Sequence, residues 1–219
     1  MVQSFLDHGT REEINAVGTL VGKMLPVYFP QLSFREDGCE IINIGNSMAV
    51  ISGDGTGISE EEDSVVAFEF KCPVPGKTYT TDIQYKIPTH YTTQILGQMA
   101  VKKCKSLVFI SYTHESASYI HADINSNLWE QTKTFAEELY GTDNPPRPTR
   151  RNPNSKTLLA DLKTYSDTCS FMVEFPLYLY RLYRVHVHQW MTNNMYMESM
   201  VRNGMFTKTL HLLKKYYLL

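Results

Sequence analysis

A chain of 219 residues with 42% hydrophobic content and a formal net charge of −2 is long enough for one domain with a substantial core, and it excludes a wholly disordered protein. No apolar run reaches the length of a membrane span, since Arg181 interrupts the richest stretch, Phe175 to Tyr183, and no secretory signal is legible at the N-terminus. The four cysteines, Cys39, Cys72, Cys104 and Cys169, are too scattered for a C-x-x-C zinc knuckle and read as reduced, buried thiols of a soluble protein in the nucleus or cytoplasm.

Thr10-Arg11-Glu12-Glu13 leads into Ile14, Val17, Leu20, Val21 and Leu25. That apolar stripe has helical spacing and predicts an opening helix that ends before Pro26. Short segments with strand character follow: Gln31 to Phe34, Cys39 to Ile42, Met48 to Ile51 and Val65 to Lys71. Gly38, Asn46, a Gly53 to Gly57 turn and the acidic patch Glu60 to Asp63 separate them, and antiparallel hairpins are the expected pairing.

After Pro88, His90 to Val101 reads as a helix with threonine-rich cap chemistry. Leu107 to Tyr112 is a compact buried strand, with Ser118 to Asp123 its expected partner, and Asn127 to Tyr140 a helix stopping at Gly141. Asn144 to Ser155 holds Pro145, Pro146, Pro148 and Pro153 among Arg147, Arg150 and Arg151, and reads as a loop, either a solvated connector or a DNA-backbone contact. Leu158 to Tyr165 is expected to be a helix and Ser170 to Phe175 a strand. The tail from Leu177 is rich in Tyr and Met and reads as mostly helical, an extension (177–219) of the domain formed by residues 1–176. Its bases, Arg181, Arg184, Arg202, Lys208, Lys214 and Lys215, face one acid, Glu198, which suits either phosphate tracking or a solvated helix face. The order of elements predicts a mixed α/β or α+β sandwich with helices over a central sheet.

Two segments carry chemistry: Ser52-Gly53-Asp54-Gly55 and Phe68-Glu69-Phe70-Lys71-Cys72-Pro73. Strand alternation puts Glu69 and Lys71 on one face and Phe68 and Phe70 on the other. Carboxylates with a neighbouring ammonium suit metal-assisted attack on a phosphodiester, Asp54 and Glu69 holding Mg²⁺ or Mn²⁺ and Lys71 orienting or deprotonating a water. Each feature also has an ordinary reading: Asp54-Gly55 as a hairpin turn, Glu69 and Lys71 as the solvated face of a half-buried strand. His186 and His188 lack a partner at ligand spacing and read as structural or surface residues. Gly53-x-Gly55-x-Gly57 is a turn rather than a phosphate loop, because no lysine-serine pair follows.

Four blocks in order resemble the YqaJ-type viral recombinase family, the lambda-exonuclease-like branch of the P-D…(D/E)-x-K nuclease superfamily. His8-Gly9-Thr10-Arg11-Glu12-Glu13-Ile14-Asn15-Ala16 is similar to its first helix, G-T-x-x-E, with the glutamate at Glu13. Ser52-Gly53-Asp54-Gly55 is similar to S-P-D-G, Phe68 to Pro73 to E-x-K-C-P, and Tyr91-Thr92-Thr93-Gln94-Ile95-Leu96-Gly97-Gln98-Met99 to Y-x-x-Q-x-x-G-Q-M. The resemblance runs from about His8 to Phe175 and does not reach the tail.

The resemblance implies a restriction-endonuclease-like core and a Mg²⁺- or Mn²⁺-dependent deoxyribonuclease, specifically a 5′-3′ exonuclease resecting duplex ends for recombination or repair. It implies Asp54, Glu69 and the Phe70 carbonyl as metal ligands, Lys71 as the catalytic lysine, Gln94 facing the site, and Glu13 as a metal-site helper, although Thr10-x-x-Glu13 is equally a capping box. Tyr91 and Gln98 share the Gln94 face as supporting or packing residues. Gly53 stands where the family has proline, a change expected to loosen the turn by about 1 kcal/mol. Gly97 inside a helix suggests close approach to the sheet. The implied partner is DNA, through duplex ends and the phosphate backbone; a ring-shaped homo-oligomer and a single-strand annealing partner stay open. An endonuclease of the same superfamily and a catalytically silent nucleic-acid-binding module of a viral or mobile element are the alternatives.

Overall fold

Two strands are apolar along almost their whole length, and they form the middle of the molecule. In the computed structural model, which describes residues 2–61, 65–73, 83–142 and 153–177, β5 (Val66–Lys71) and β6 (Ser106–Tyr112) lie side by side and parallel. A strand covered on both faces has no solvated side, which is why these two read as near-continuous hydrophobic runs instead of alternating ones. Around them the six-stranded sheet runs β1-β4-β5-β6-β7-β8, with β1 spanning Ser33–Glu36, β4 Gly55–Ile58, β7 Ser116–Asp123 and β8 Ser170–Pro176. The β1/β4, β4/β5 and β6/β7 pairs are antiparallel. The sheet is therefore mixed, and the chain is a mixed α/β protein, as the order of elements predicts.

A parallel pair needs a crossover. Between β5 and β6 it contains a 3₁₀ turn, Thr89–Tyr91, and helix α3, Thr92–Lys102. With α4 (Ser126–Tyr140) and α5 (Pro153–Thr168), α3 covers one face of the sheet; Ile95, Leu96 and Met99 meet Ala67, Leu107, Phe109 and Ile120 in one core with Leu128, Trp129 and Leu162. Asn125 caps α4 by accepting from the Leu128 N–H at 3.0 Å, and Gly141 ends it. Gly97 makes its close approach to the hairpin and to α4: a Cβ there would lie 2.9 Å from Ile51 Cδ1 and 3.1 Å from the Trp129 ring.

Several expectations are corrected. Helix α1 spans Val2–Thr19, so Thr10 lies inside it and cannot cap it with Glu13. Nor does the helical path stop before Pro26: a π turn, Leu20–Met24, leads into α2, Leu25–Tyr28, with the proline in its first turn, where the missing N–H costs little. The inward row is Glu12, Ala16, Leu20 and Met24, whereas Ile14 is 70% exposed.

The Gly53–Gly57 segment is not simply a turn, because Gly55–Ile58 is a strand between β1 and β5. Its glycines make room for aromatic packing: a Cβ on Gly55 would overlap the Phe34 ring, and one on Gly57 would sit 2.9 Å from Leu32 Cδ1. Only one of the expected hairpins forms as read, β2 (Cys39–Ile44) with β3 (Ser47–Ser52), which stands apart as a two-stranded sheet. Its turn places Gly45 at φ 54°, a conformation suited to glycine. Pro153 to Ser155 open α5 instead of continuing the basic loop, as suits a proline at a first helical position. The cysteines are free, but Cys39 is exposed and only Cys104 is fully buried.

The chain divides into two units, Met1–Phe175 and Pro176–Leu219; apart from Pro176 and Leu177 the described residues belong to the first. The readings of residues 143–152, of the tail and of His186 and His188 lie outside the described residues. Among the described residues no helix is long and apolar enough to cross a membrane.

Candidate active site

Glu69 is a carboxylate on a central strand, in line with Ala67 on the face that α3 covers, and its side chain is 0% exposed. Burial of an ionisable group is costly unless it is paired. Two donors meet its Oε1: the Lys71 Nζ, next on the same face of β5, and Gln94 Nε2 from α3 at 2.6 Å. The other oxygen, Oε2, is buried and takes no N–H donor, and the Glu69 and Asp54 carboxyls share a side-chain hydrogen bond through a proton. Burial and the nearby Asp54 carboxylate push the Glu69 carboxyl up to about 8, against the opposing pull of Lys71.

Asp54 sits where the chain enters the six-stranded sheet, just before β4. The β4/β5 ladder ends at the Gly55–Phe68 pair, so the edge of β5 beyond it is free, and the Phe70 N–H donates to Asp54 Oδ2 at 2.7 Å instead. Burial raises the Asp54 carboxyl, while the Phe70 N–H and Lys71 work to lower it. Asp54 and Glu69 are thus a coupled pair that holds a proton near neutral pH, with the more buried Glu69 as its seat.

Glu13 belongs to the same neighbourhood. It is half-buried on α1, and its carboxyl is raised by burial and by Asp54, with Lys71 opposing. Lys71 approaches the Tyr91 ring with Nζ 4.9 Å from its centroid. Burial acts to lower the Lys71 ammonium, but Glu69 and Asp54 outweigh it, so the group is raised. A divalent cation among those carboxylates would act in the opposite direction and lower it. Cys72, the next residue, is pushed up to about 12 by burial and by Glu13 and Glu12, which makes it an inert thiol.

All six residues singled out in the sequence, Glu13, Asp54, Glu69, Phe70, Lys71 and Gln94, come together at this end of β5. Gln98, read as supporting, is fully buried and donates to the Phe68 carbonyl at 3.0 Å. It also explains Gly53: a Cβ there would lie 2.7 Å from Gln98 Nε2, so the glycine is a packing contact beneath Asp54.

Two buried acids escaped the sequence reading. Glu12 is only 3% exposed; it accepts from Asn15 Nδ2 at 3.1 Å and lies 3.3 Å from His114 Nδ1 in the β6–β7 connection, fixing the roll of α1 that brings Glu13 toward Asp54. Asp37, between β1 and β2, accepts from the Thr56 hydroxyl and pairs with Lys102 Nζ at 3.1 Å. Neither carries a motif; the signal available was an inward helical position for Glu12, and none for Asp37.

Among the described residues no cluster of three or more His, Cys, Asp or Glu side chains stands at metal-ligating spacing. The donors here are fewer and harder: two carboxylates and main-chain oxygen, with one carboxylate oxygen that takes no N–H donor. That set fits Mg²⁺ or Mn²⁺, which take one or two carboxylates and keep several waters, better than a closed zinc site. No protein-family model, no curated protein and no solved structure matches this chain.

Proposed function

We propose that the protein is a metal-dependent deoxyribonuclease, most directly an exonuclease acting on duplex ends. The observation that carries the reading is the meeting of two buried carboxyls, Glu69 and Asp54, with Lys71 at one end of β5, where the two acids share a side-chain hydrogen bond and Glu69 Oε2 takes no N–H donor. Two buried carboxyls side by side cannot both carry full charge without compensation, and a divalent cation in place of the shared proton would satisfy both. We read the mixed sheet with its flanking helices as a restriction-endonuclease-like core. The four motif blocks that resemble the lambda-exonuclease-like family support both readings, since they converge on this cluster.

In this reading Asp54, Glu69 and the Phe70 carbonyl hold Mg²⁺ or Mn²⁺; a strand turns the carbonyl of a residue toward the same edge as its N–H, and that N–H meets Asp54. The bound cation supplies charge against the negative charge that develops on the phosphodiester in the transition state. Gln94 fixes the rotamer of Glu69 and leaves its second oxygen free of an N–H donor. Lys71 donates to the attacking water and aligns it with phosphorus, and Glu13 is placed to accept a proton on the α1 side.

The test is incubation with 5′-labelled linear duplex and with closed circular DNA, with Mg²⁺ or EDTA, beside Lys71→Ala. Metal-dependent loss of the linear DNA alone, absent in the variant, is expected. Cutting of the circle would replace the exonuclease reading by the endonuclease one, and absence of cleavage with any metal would favour a silent nucleic-acid-binding module.

A further inference from the structure

Tyr91, Gln94 and Gln98 fall on one face at the spacing of successive helical turns, and Lys102 is the next residue of that row. Gln94 holds Glu69 and Gln98 holds the Phe68 carbonyl. Lys102, the last residue of α3, instead reaches Asp37 at 3.1 Å and Glu40 at 2.6 Å. The Asp37 carboxylate is 2% exposed and grips Thr56 through its hydroxyl, while the Asp37 N–H donates to the Asp54 carbonyl at 3.3 Å. Asp37 therefore holds the chain at Asp54 itself and two residues beyond it. This matters because Asp54 lies just outside the β4/β5 ladder, where no pairing with β5 fixes its main chain.

We propose that Asp37, locked by Lys102, is a positioning residue that sets the spacing between the Asp54 and Glu69 carboxylates. One helix then controls both: α3 orients Glu69 directly through Gln94, and Asp54 indirectly through the Lys102–Asp37 pair. The proposal rests on the nuclease reading, since the spacing matters for holding a divalent cation. Partners that orient metal ligands without touching the metal are worth about 10- to 100-fold in affinity.

The experiment is calorimetric titration of Mn²⁺ into the full chain, as wild type, Asp37→Asn, Lys102→Met and Lys102→Arg, with circular dichroism melting and duplex cleavage across Mn²⁺ concentrations on the same samples. Asp37→Asn and Lys102→Met are expected to raise half-saturating Mn²⁺ by about tenfold or more, with cleavage at saturating Mn²⁺ back to within about twofold and Lys102→Arg restoring affinity. Lys86→Met, which breaks the exposed Lys86–Asp167 pair, serves as the control and leaves affinity unchanged. Folded variants with lowered melting temperature but wild-type Mn²⁺ affinity would overturn the proposal, reducing the pair to a structural ion pair. If Asp37→Asn does not fold, Thr56→Val and Lys102→Met carry the same expectation. Absence of Mn²⁺ binding in the wild type would instead remove the nuclease reading and this inference with it.

Discussion

A cavity of about 380 Å³ lies away from the cluster around Glu69. It is bounded by His121, Asp123, Asn125, Tyr165 and Cys169, where β7 meets the start of α4 and the end of α5. Its polar groups serve the fold: Asn125 Oδ1 caps α4, the Tyr165 hydroxyl donates to the Asp123 carbonyl at 2.8 Å, and the Cys169 thiol donates to the Tyr165 carbonyl at 3.4 Å. The Glu69 cluster instead holds a pair of raised carboxyls, Glu69 and Asp54, beside Lys71. On the proposed reading the chemistry sits with perturbed charge rather than with empty volume, because carboxyls shifted from their ordinary range are the groups a cation can act on.

That contrast breaks first on the lysine. Lys71→Ala is expected to lower duplex cleavage by about a thousandfold, within the range that a positioned proton-handling group contributes, while Cys169→Ser in the cavity leaves it within about twofold. Comparable losses from both variants would erase the distinction between the two regions.

The pH dependence of stability sharpens it. The Glu69 carboxyl is raised from 4.5 to about 8 in the folded state. The unfolded chain releases that proton at lower pH, so stability is fully present below about 4.5 and is lost as pH rises to about 8. Thermal melts in EDTA are expected to show this decline, amounting to a few kcal/mol at most, and Glu69→Gln is expected to remove most of it. A parallel decline in Glu69→Gln would mean that other groups carry it, with Asp54 and Glu13 shifted in the same direction.

A smaller effect is expected beneath Asp54. Gly53→Ala forces a Cβ against Gln98 and should cost about 1–3 kcal/mol; adding Gln98→Ala, which clears the space, is expected to recover part of that loss in a double-mutant cycle. Simple additivity would show that the two residues do not press on each other. Asn125→Ala, the cap at the cavity, should cost about 1 kcal/mol of stability with no effect on cleavage.

How far these regions were legible in the sequence differs for physical reasons. The central strands announced themselves through Val66 to Phe70 and Leu107 to Tyr112, and Glu69 stood out as a charge in an apolar run. The helices α3 and α4 were legible from periodicity and from Gly141. Strand β4 was hidden because Gly55 and Gly57 mimic a turn, and only the Phe34 and Leu32 side chains that press on them explain glycine in a strand. The extent of α1 was misjudged because Pro26 reads as a stop, whereas a preceding π turn accommodates it. The Lys102–Asp37 pair joins residues far apart in the chain, and no local pattern announces such a contact.

The most direct test is a crystal of the full chain soaked in Mn²⁺, with anomalous diffraction recorded from wild type and Glu69→Gln. The expected result is an anomalous peak within ligating distance of Glu69 Oε2 and an Asp54 oxygen, missing in the variant. A peak confined to the cavity lined by His121 and Asp123, or one at β5 that persists in Glu69→Gln, would contradict the assignment.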